Sequence, residues 1–332
     1  MSNNNYIPKN TVLIIGAGVW GQALSCLFST QMTVHLWMRN PNKISTIKNN
    51  LKINTDNEII FIEDLKNLEL YSLIIIATPI NALRSILLML LSHTNQLPDL
   101  FITCKGLEQT TSKLAYQIVE ELANHLNNYG MLVGPSFACE LIKNLPTLIA
   151  LSSSNQKFII KWINYLKIKN FKIYGHNDII GACAASALKN IIAIAVGISF
   201  GLGLGQNSAS AIISRGLHEM NKFIVALGGN KYTVYGLTGV GDLFLTCHPQ
   251  SRNYQVGIKL TQNLNIDQII NNLQQTAEGV ATSKAVHNKA KQLKIEMPIC
   301  ETVYQIIYEN LNINTALEQL LNRPNKMEDY YT

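Results

Sequence analysis

A glycine turn near the N-terminus constrains the fold more than any other part of this 332-residue sequence. The apolar run Thr11–Ile15 has the length of a buried strand, and it ends at Gly16-Ala-Gly18-Val-Trp-Gly21, after which a helical pattern runs through Ser29. In a strand, glycine turn and helix of this kind, the backbone can approach a pyrophosphate at the helix N-terminus, where N–H groups and the helix dipole favour negative charge. A glycine-rich structural turn is the alternative, but it does not explain the spacing of all three glycines. The sequence therefore predicts a dinucleotide site here.

Further apolar runs of strand length alternate with helical segments over the first half of the chain. They are Thr33–Met38, Ile59–Ile62, Leu73–Ala77, Phe101–Cys104, Met131–Val133, Thr147–Leu151 and Phe171–Tyr174. This alternation predicts a mainly parallel, doubly wound α/β sheet. After Gly175 the periodicities are helical, so we predict an α/β domain over residues 1–178 and an all-α domain over residues 179–332.

Charge and composition limit the class of protein. The net charge is +6 with Lys and Arg scattered along the chain, which fits a small anionic substrate and not a nucleic acid. The six cysteines are dispersed without a C-x-x-C pair, which predicts reduced thiols in a cytoplasmic protein and no metal site.

Residues 2–10 lack a signal-peptide pattern. The stretch Ile191–Gly205 falls short of the roughly 20 residues of a membrane span, so we expect a buried helix there. A homodimer is expected only because it is common among soluble enzymes.

Lys189 is the only charged residue between Ile179 and Ser214. On a buried helix its ammonium group loses hydration, which lowers its pKa and allows proton transfer near neutral pH. The alternative is a lysine whose stem lies on the apolar face while its head group reaches water. A partner would favour the first interpretation, because a buried charge is retained only when it is paired. Asp242, in a glycine-rich turn, is the candidate partner, and a turn-capping role is its alternative.

Several polar residues that follow predicted strands or turns are further candidates. Arg39 stands where an acidic residue would bind the ribose of NAD, and it can instead pair with the 2′-phosphate of NADP. Lys105 and the segment Gly134-Pro-Ser136 leave strands at their carboxyl ends, where doubly wound folds place their ligands. Arg252 can hold a phosphate with its planar fork. The alternatives are solvated side chains for the three basic residues and an ordinary helix cap for Ser136.

Seven blocks of the sequence stand in the order of one known family. The blocks are Gly16-Ala-Gly-Val-Trp-Gly21, Lys105-Gly-Leu-Glu108, Gly134-Pro-Ser-Phe-Ala138, Leu188-Lys-Asn-Ile-Ile-Ala193, Gly239-Val-Gly-Asp-Leu243, Ser251-Arg-Asn253 and Glu278-Gly279. Together they resemble the NAD(P)-dependent glycerol-3-phosphate dehydrogenases of the bacterial type. The resemblance implies a Rossmann-like N-terminal domain, an all-α C-terminal domain, and NAD or NADP as cofactor. It also implies reversible reduction of dihydroxyacetone phosphate to sn-glycerol 3-phosphate, the precursor of the phospholipid backbone.

The resemblance further implies a role for each matching residue. Lys189 is implied as the proton donor and acceptor and Asp242 as the group that orients or tunes it, and both also contact the substrate. The other implied substrate residues are Lys105, Gly134, Ser136, Ser251, Arg252 and Asn253. The implied cofactor residues are Gly16, Gly18, Val19, Trp20, Gly21, Arg39, Lys105, Ala138, Arg252 and Glu278.

Two positions depart from the pattern of the family. Val19 stands where relatives often carry Ser or Asn, and Cys139 stands where a basic residue is frequent. Both bear on cofactor affinity more than on activity.

Two other functions stay open at this point. One is a two-domain 2- or 3-hydroxyacid dehydrogenase, which shares the glycine turn and a helix-borne Lys-Asn. The other is a non-catalytic NAD(P)-binding protein, which has no need for a lysine and an aspartate in apolar, glycine-rich settings.

Overall fold

The chain folds into two compact units. The structure is a computed structural model that describes residues 10–50, 58–94, 96–126, 128–262, 264–273, 277–325 and 327. One unit comprises residues 1–104 and 115–179, and the other comprises residues 105–114 and 180–332; we call them the sheet unit and the helical unit. The predicted domain division after residue 178 stays a prediction, and the segment 105–114 groups with helices that come much later in the sequence. Residues 2–9, inspected above for a signal peptide, lie outside the described residues.

Eight strands within the described residues form one sheet. They are β1 Thr11–Ile15, β2 Thr33–Trp37, β3 Ile59–Ile62, β4 Leu73–Ile76, β5 Asp99–Ile102, β6 Tyr129–Val133, β7 Thr147–Ser152 and β8 Phe171–His176. Their order across the sheet is β3-β2-β1-β4-β5-β6-β7-β8. Neighbouring strands pair in parallel except β6 and β7, which are antiparallel. The prediction of a mainly parallel sheet is confirmed.

The burial of each strand follows its place in the sheet. The helices of this unit are α1 Val19–Phe28, α2 Ile44–Asn50, α3 Ile80–Leu91, α4 Ala115–Leu122, α5 Ala138–Ile142 and α6 Gln156–Tyr165. The central strands β4 and β5 are buried along their whole length, as expected when helices cover both faces of a parallel sheet. In each of the edge strands β3 and β8 only the first residue is buried, and the remaining residues are half-buried or exposed. Burial along the whole strand therefore marks the centre of the sheet, whereas the apolar run of β3 lies at its edge.

The predicted run Phe101–Cys104 is displaced by two residues from the strand that the structure shows. Strand β5 begins at Asp99 and ends at Ile102. Its first residue, Asp99, tolerates burial because α6 supplies two donors. Lys161 Nζ and Trp162 Nε1 each lie 2.8 Å from Asp99 Oδ2. Trp162 is fully buried and packs edge-to-face on Phe101, with 5.2 Å between the ring centroids. These contacts attach α6 to the centre of the sheet.

Among its described residues, the helical unit contains one long apolar helix, α7. Its helices are α7 Ile179–Gly201, α8 Gly205–Ala226, α9 Asp242–Thr246, α10 Arg252–Leu260, α11 Ile266–Leu273, α12 Glu278–Leu293, α13 Pro298–Tyr308 and α14 Ile313–Leu321. The predicted fold class, an α/β sheet domain followed by an all-α domain, is confirmed by this order of elements.

The bounds predicted for the apolar helix, Ile191–Gly205, are wrong. The helix begins at Ile179, and it ends at Gly201 before Gly203, whose φ of 71° is incompatible with a right-handed helix. With 23 residues and a mean hydropathy of 2.0, α7 has the length and composition of a membrane span, but 89% of its most apolar window is buried inside the protein. The core helix of a folded domain meets the same test of length and composition, and this degree of burial fits that interpretation.

Replacing Asp99 by Ala is expected to lower the free energy of unfolding by about 1–3 kcal/mol, because the buried indole N–H of Trp162 loses its acceptor. Lys66→Ala is the control: it removes an ion pair with Asp64 in which both side chains are mostly exposed, and it should change stability by less than about 1 kcal/mol. Urea unfolding at pH 7 measures both variants. Equal losses in the two variants would contradict the role assigned to Asp99.

Candidate active site

The Lys189 side chain is buried in the middle of α7, with its head group on a carboxylate. Lys189 is 4% exposed, and its helix neighbours Leu188 and Ile192 are fully buried. Lys189 Nζ lies 2.5 Å from Asp242 Oδ1. The alternative of a lysine that extends its head group to water is therefore wrong, and the pairing that the sequence proposed is present.

Asp242 reaches this position from an unusual turn. Residues Leu237–Gly241 form one turn of π-helix, after which Asp242 starts the short helix α9. Single π-helical turns occur frequently at functional sites. Asp242 is 1% exposed, so its charge depends on protein partners for stabilisation. The alternative of a solvated, turn-capping aspartate does not fit this burial.

Lys105 brings a second ammonium group to the same carboxylate. It is the first residue of the segment 105–114, and its Nζ lies 3.7 Å from Asp242 Oδ2. It also hydrogen-bonds to Lys189. Because an ammonium group has no lone pair, a hydrogen bond between two lysines requires one of them to be a neutral amine. We call Lys105, Lys189 and Asp242 the lysine–aspartate cluster.

The pKa values of the two lysines in the cluster move in opposite directions. Burial lowers the pKa of Lys189 to about 7; the attraction of Asp242 opposes this shift, and the charge of Lys105 adds to it. Burial also lowers the pKa of Lys105, but the attraction of Asp242 and Glu278 and the hydrogen bond to Lys189 outweigh it, and the net shift is upward. Lys105 therefore stays charged at neutral pH, whereas Lys189 can gain or lose a proton there.

Helix α10 contributes three of the predicted substrate residues. Ser251 precedes the helix, Arg252 and Asn253 open it, and no side chain caps this end. Ser251 and Asn253 are buried, whereas Arg252 is exposed. Asn253 Oδ1 accepts a hydrogen bond of 3.0 Å from the Gly279 N–H, which leaves the Nδ2 group of Asn253 as a donor. A helix N-terminus with an arginine beside it favours an anionic ligand.

Helix α12 brings Glu278 to the same region. Asn190 Nδ2 donates to Glu278 Oε2 at 3.4 Å, and Glu278 and Arg252 both influence the pKa of Lys105. Glu278 and Arg252 of the helical unit therefore interact electrostatically with the lysine–aspartate cluster. Asn190 was missed as a site residue in the sequence; its signal was an amide next to Lys189 in an otherwise apolar helix, where a buried amide needs a partner.

In the sheet unit, the glycine turn leaves an open space in front of α1. Gly16 has a φ of 111°, and a Cβ on Gly21 would lie 1.8 Å from the Gly16 carbonyl oxygen, so both positions require glycine. Gly18 has a φ of −69°, and a Cβ there would have no atom within 4 Å. No side chain caps α1, and its first turn holds no acidic residue. The turn therefore fits a pyrophosphate at the helix N-terminus.

The other predicted residues of the sheet unit follow the carboxyl ends of parallel strands. Val19 and Trp20 open α1, Arg39 is exposed two residues after β2, and Gly134 directly follows β6. Because β1, β2 and β6 run in the same direction, these positions lie along one edge of the sheet. Trp20 Nε1 is buried, and no partner for it exists among the described residues.

Ser136 is not a helix cap. Its hydroxyl donates to the Gly134 carbonyl at 3.0 Å, whereas α5 begins at Ala138 with Phe137 as the preceding residue. The alternative that assigned Ser136 to ordinary capping is therefore wrong. Its role toward a substrate, like that of Ala138 toward a cofactor, stays a prediction.

The chain is similar to one family over nearly its whole length. The family model described as NAD-dependent glycerol-3-phosphate dehydrogenase N-terminus matches residues 11–159, and the model of the C-terminus matches residues 178–318. A glycerol-3-phosphate dehydrogenase (NAD(P)+) of Methylobacillus flagellatus is 38% identical over 326 residues, which are 96% of this chain and 99% of that protein. This chain belongs to the NAD-dependent glycerol-3-phosphate dehydrogenase family.

Solved structures agree with this membership. The crystal structure of glycerol-3-phosphate dehydrogenase from Coxiella burnetii matches with a TM-score of 0.88 at 33% identity, over 95% of this chain and 99% of that one. A glycerol-3-phosphate dehydrogenase structure from Plasmodium falciparum matches with a TM-score of 0.85 over 96% of each chain, but at 22% identity it shows the fold alone. The resemblance inferred from the seven sequence blocks is confirmed. Val19 and Cys139, which depart from the family pattern, are both exposed.

Replacing Gly18 by Ala is expected to weaken NADH binding about tenfold or more, a loss of about 1.4 kcal/mol or more, while the melting temperature stays unchanged. Alanine accepts the Gly18 backbone conformation and its Cβ meets no protein atom, so the new methyl group fills only the space in front of α1. Fluorescence titration with NADH and a thermal scan measure the two effects.

Gly16→Ala is the matched control for this experiment. Its Cβ would lie 2.6 Å from the Ala77 carbonyl oxygen at a φ of 111°, so this variant should lose stability as well as affinity. Wild-type NADH affinity in Gly18→Ala would show that the nucleotide does not lie against this turn.

Proposed function

We propose that this chain reversibly reduces dihydroxyacetone phosphate to sn-glycerol 3-phosphate with NADH or NADPH and so supplies the glycerophospholipid backbone. The observation that carries this function is the buried lysine–aspartate cluster in a chain of the glycerol-3-phosphate dehydrogenase family. A lysine whose pKa burial lowers to about 7 can both donate and accept a proton under the conditions in which the reaction must run in both directions.

Lys189 is the proton donor in the direction of reduction. When bound, NADH or NADPH supplies a hydride to the carbonyl carbon of the substrate. The Lys189 ammonium group gives its proton to the carbonyl oxygen as negative charge develops there, so the ketone becomes an alcohol and Lys189 becomes a neutral amine. Lys105 then donates a hydrogen bond to that amine. In the reverse direction the neutral amine takes the proton from the hydroxyl group.

Asp242 and Lys105 prepare Lys189 for this role. Asp242 Oδ1 accepts from Lys189 Nζ at 2.5 Å, which orients the amine and favours its charged form. The permanent charge of Lys105 acts in the opposite sense and keeps the proton easy to release. A cation close to the developing alkoxide also stabilises it electrostatically.

The phosphate group of the substrate binds at the N-terminus of α10. Arg252 supplies charge-assisted hydrogen bonds, and Ser251 and the Nδ2 group of Asn253 supply neutral ones. Gly134 and Ser136 of the sheet unit are further predicted substrate residues. Binding energy from the phosphate holds the ketone in the orientation that the reaction needs.

The predicted cofactor residues come from several elements of the chain. The pyrophosphate of the cofactor would be held by Gly16, Gly18, Val19, Trp20 and Gly21, with Arg39 and Ala138 as further predicted contacts of the nucleotide. Arg39 permits NADPH, because a guanidinium group pairs with a 2′-phosphate. Lys105, Arg252 and Glu278 are the predicted cofactor contacts in the helical unit.

Purified protein mixed with dihydroxyacetone phosphate should oxidise NADH or NADPH, followed as loss of nicotinamide absorbance in separate reactions. Lys189→Ala should lower kcat by about two or more orders of magnitude, the contribution of a positioned acid or base, with NADH affinity little changed. Lys172→Ala, which removes an exposed lysine of β8, should retain wild-type turnover. Near wild-type turnover in Lys189→Ala would refute the assignment of the proton donor.

The same assay separates the remaining functions. Oxidation of 2- or 3-hydroxyacids without activity on glycerol 3-phosphate would indicate a hydroxyacid dehydrogenase. Nucleotide binding without turnover of any small ketone would indicate a binding protein.

A cytoplasmic location and a homodimer stay predictions. Sedimentation of the purified protein tests whether it is a homodimer.

The pH dependence of the reaction should follow the pKa of Lys189. For reduction, kcat/KM should fall as the pH rises through about 7, because the neutral amine has no proton to donate. Asp242 raises the pKa of Lys189, so Asp242→Asn should lower that pKa and move the fall to lower pH. Initial rates between pH 5 and 9, with NADH affinity measured at each pH as the control, test this. An unchanged profile in Asp242→Asn would show that another group titrates.

A further inference from the structure

Helices α7 and α10 approach each other through their main chains at Gly197 and Gly257, and the rings of Phe200 and Tyr254 pack beside this contact with 5.7 Å between their centroids. A Cβ on Gly197 of α7 would lie 2.1 Å from the Tyr254 carbonyl oxygen of α10. A Cβ on Gly257 of α10 would lie 2.2 Å from the Ile194 carbonyl oxygen and 2.6 Å from the Ile198 nitrogen of α7. The contact is reciprocal, and each helix uses its glycine to admit the backbone of the other. We call this the Gly197–Gly257 contact.

A third helix approaches the same pair in the same way. A Cβ on Gly279, in the first turn of α12, would lie 2.8 Å from the Asn190 carbonyl oxygen and 2.8 Å from Asn253 Oδ1. The Gly279 N–H donates to that Asn253 oxygen. Backbone and short polar groups therefore fix the spacing of α7, α10 and α12 at these three glycines.

Each of these helices carries groups of the proposed reaction. Lys189 lies eight residues before Gly197, about 12 Å along α7, and Arg252 lies five residues before Gly257, about 7.5 Å along α10. The separation of the two helices at the contact therefore sets the reach from the proton donor to the phosphate-binding end of α10. Dihydroxyacetone phosphate cannot adapt to a wider gap, because two covalent bonds link its phosphate oxygen to its ketone carbon.

At Gly201, the last residue of α7, the contact with α10 is made by a side chain and not by the main chain. The atoms nearest to a Cβ on Gly201 would belong to the side chain of Thr261, with Oγ1 at 2.3 Å and Cγ2 at 2.8 Å. Thr261 follows the last residue of α10, so its side chain and the chain end can shift together, whereas a main-chain carbonyl inside a helix cannot. The spacing of α7 and α10 is therefore fixed by backbone at the Gly197–Gly257 contact and is adjustable at Gly201.

We propose that Gly197 and Gly257 are positioning residues that hold the phosphate-binding end of α10 at the distance from Lys189 that the substrate requires. This inference rests on the proposed function. A methyl group at either glycine must push the helices apart by about 1 Å or more, and a displacement of that size can reduce the rate by about 100-fold when the reacting groups must align.

The test compares two substrates that differ only in the phosphate. Wild type, Gly257→Ala, Gly197→Ala and the control Gly201→Ala are each assayed with dihydroxyacetone phosphate and with dihydroxyacetone at high enzyme concentration. We expect the ratio of the two kcat/KM values to fall about tenfold or more in Gly257→Ala and Gly197→Ala and to stay at the wild-type value in Gly201→Ala. Partial unfolding does not disturb this ratio, because both rates scale with the same concentration of folded enzyme.

The double variant Gly197→Ala/Gly257→Ala adds a second criterion. Both substitutions disturb one contact, so the double variant should lose about as much as one single variant and not the product of the two losses. Wild-type ratios in both single variants would overturn the positioning role, and so would a complete loss of folded protein in both, since the contact would then be required for folding. A wild-type protein that does not turn over dihydroxyacetone phosphate would instead refute the proposed function.

Discussion

Two lysines that share one buried carboxylate are the arrangement on which the rest of this structure depends. Lys189 and Asp242 are nearly inaccessible to solvent, and Lys105 is mostly buried. Three full charges here would leave one uncompensated ammonium group, and a buried charge without a partner costs several kcal/mol. Release of the Lys189 proton removes this excess, which is why burial and the charge of Lys105 lower the pKa of Lys189 to about 7. A phosphorylated substrate brings the missing negative charge, and its attraction favours the ammonium form. Binding of the anionic substrate therefore favours the protonated form of Lys189, which carries the proton that the reduction consumes.

The fold supplies this arrangement from three places that are far apart in the sequence. Lys189 comes from the middle of α7, where apolar neighbours remove water. Asp242 follows a turn of π-helix, and Lys105 opens the segment 105–114, whose ends are joined by the pairing of Leu107 with Leu114. Since the segment belongs to the helical unit although it interrupts the sheet unit in the sequence, all three members of the cluster are held by one compact unit. Their mutual distances are therefore set by the packing of helices and one short loop.

What the sequence could predict depended on whether the signal was local. The eight strands found among the described residues were all predicted, because apolar runs and the glycine turn are local patterns. The lone charge of Lys189 identified the helix that carries the cluster. The start of β5 was missed because Asp99 reads as polar, and only the donors of α6 make its burial tolerable. The bounds of α7 were missed because its end is set by the backbone of Gly203. Asn190 was not singled out and Glu278 carried no signal of its own, since their contact joins α7 to α12.

The glycines also divide into those with a local signal in the sequence and those explained only by contacts in the folded chain. Gly16, Gly18 and Gly21 can be recognised because their spacing is that of one turn between a strand and a helix. Gly197 and Gly257 sit inside helices, where glycine lowers helix stability relative to alanine by about 1 kcal/mol, and nothing near either of them in the sequence explains that loss. The explanation is the backbone of the other helix, which only the folded chain brings to within contact distance. A glycine that is unfavourable for its own helix thus indicates that another main chain lies against it. For Gly197 that main chain is α10, the helix that begins with Arg252 and Asn253.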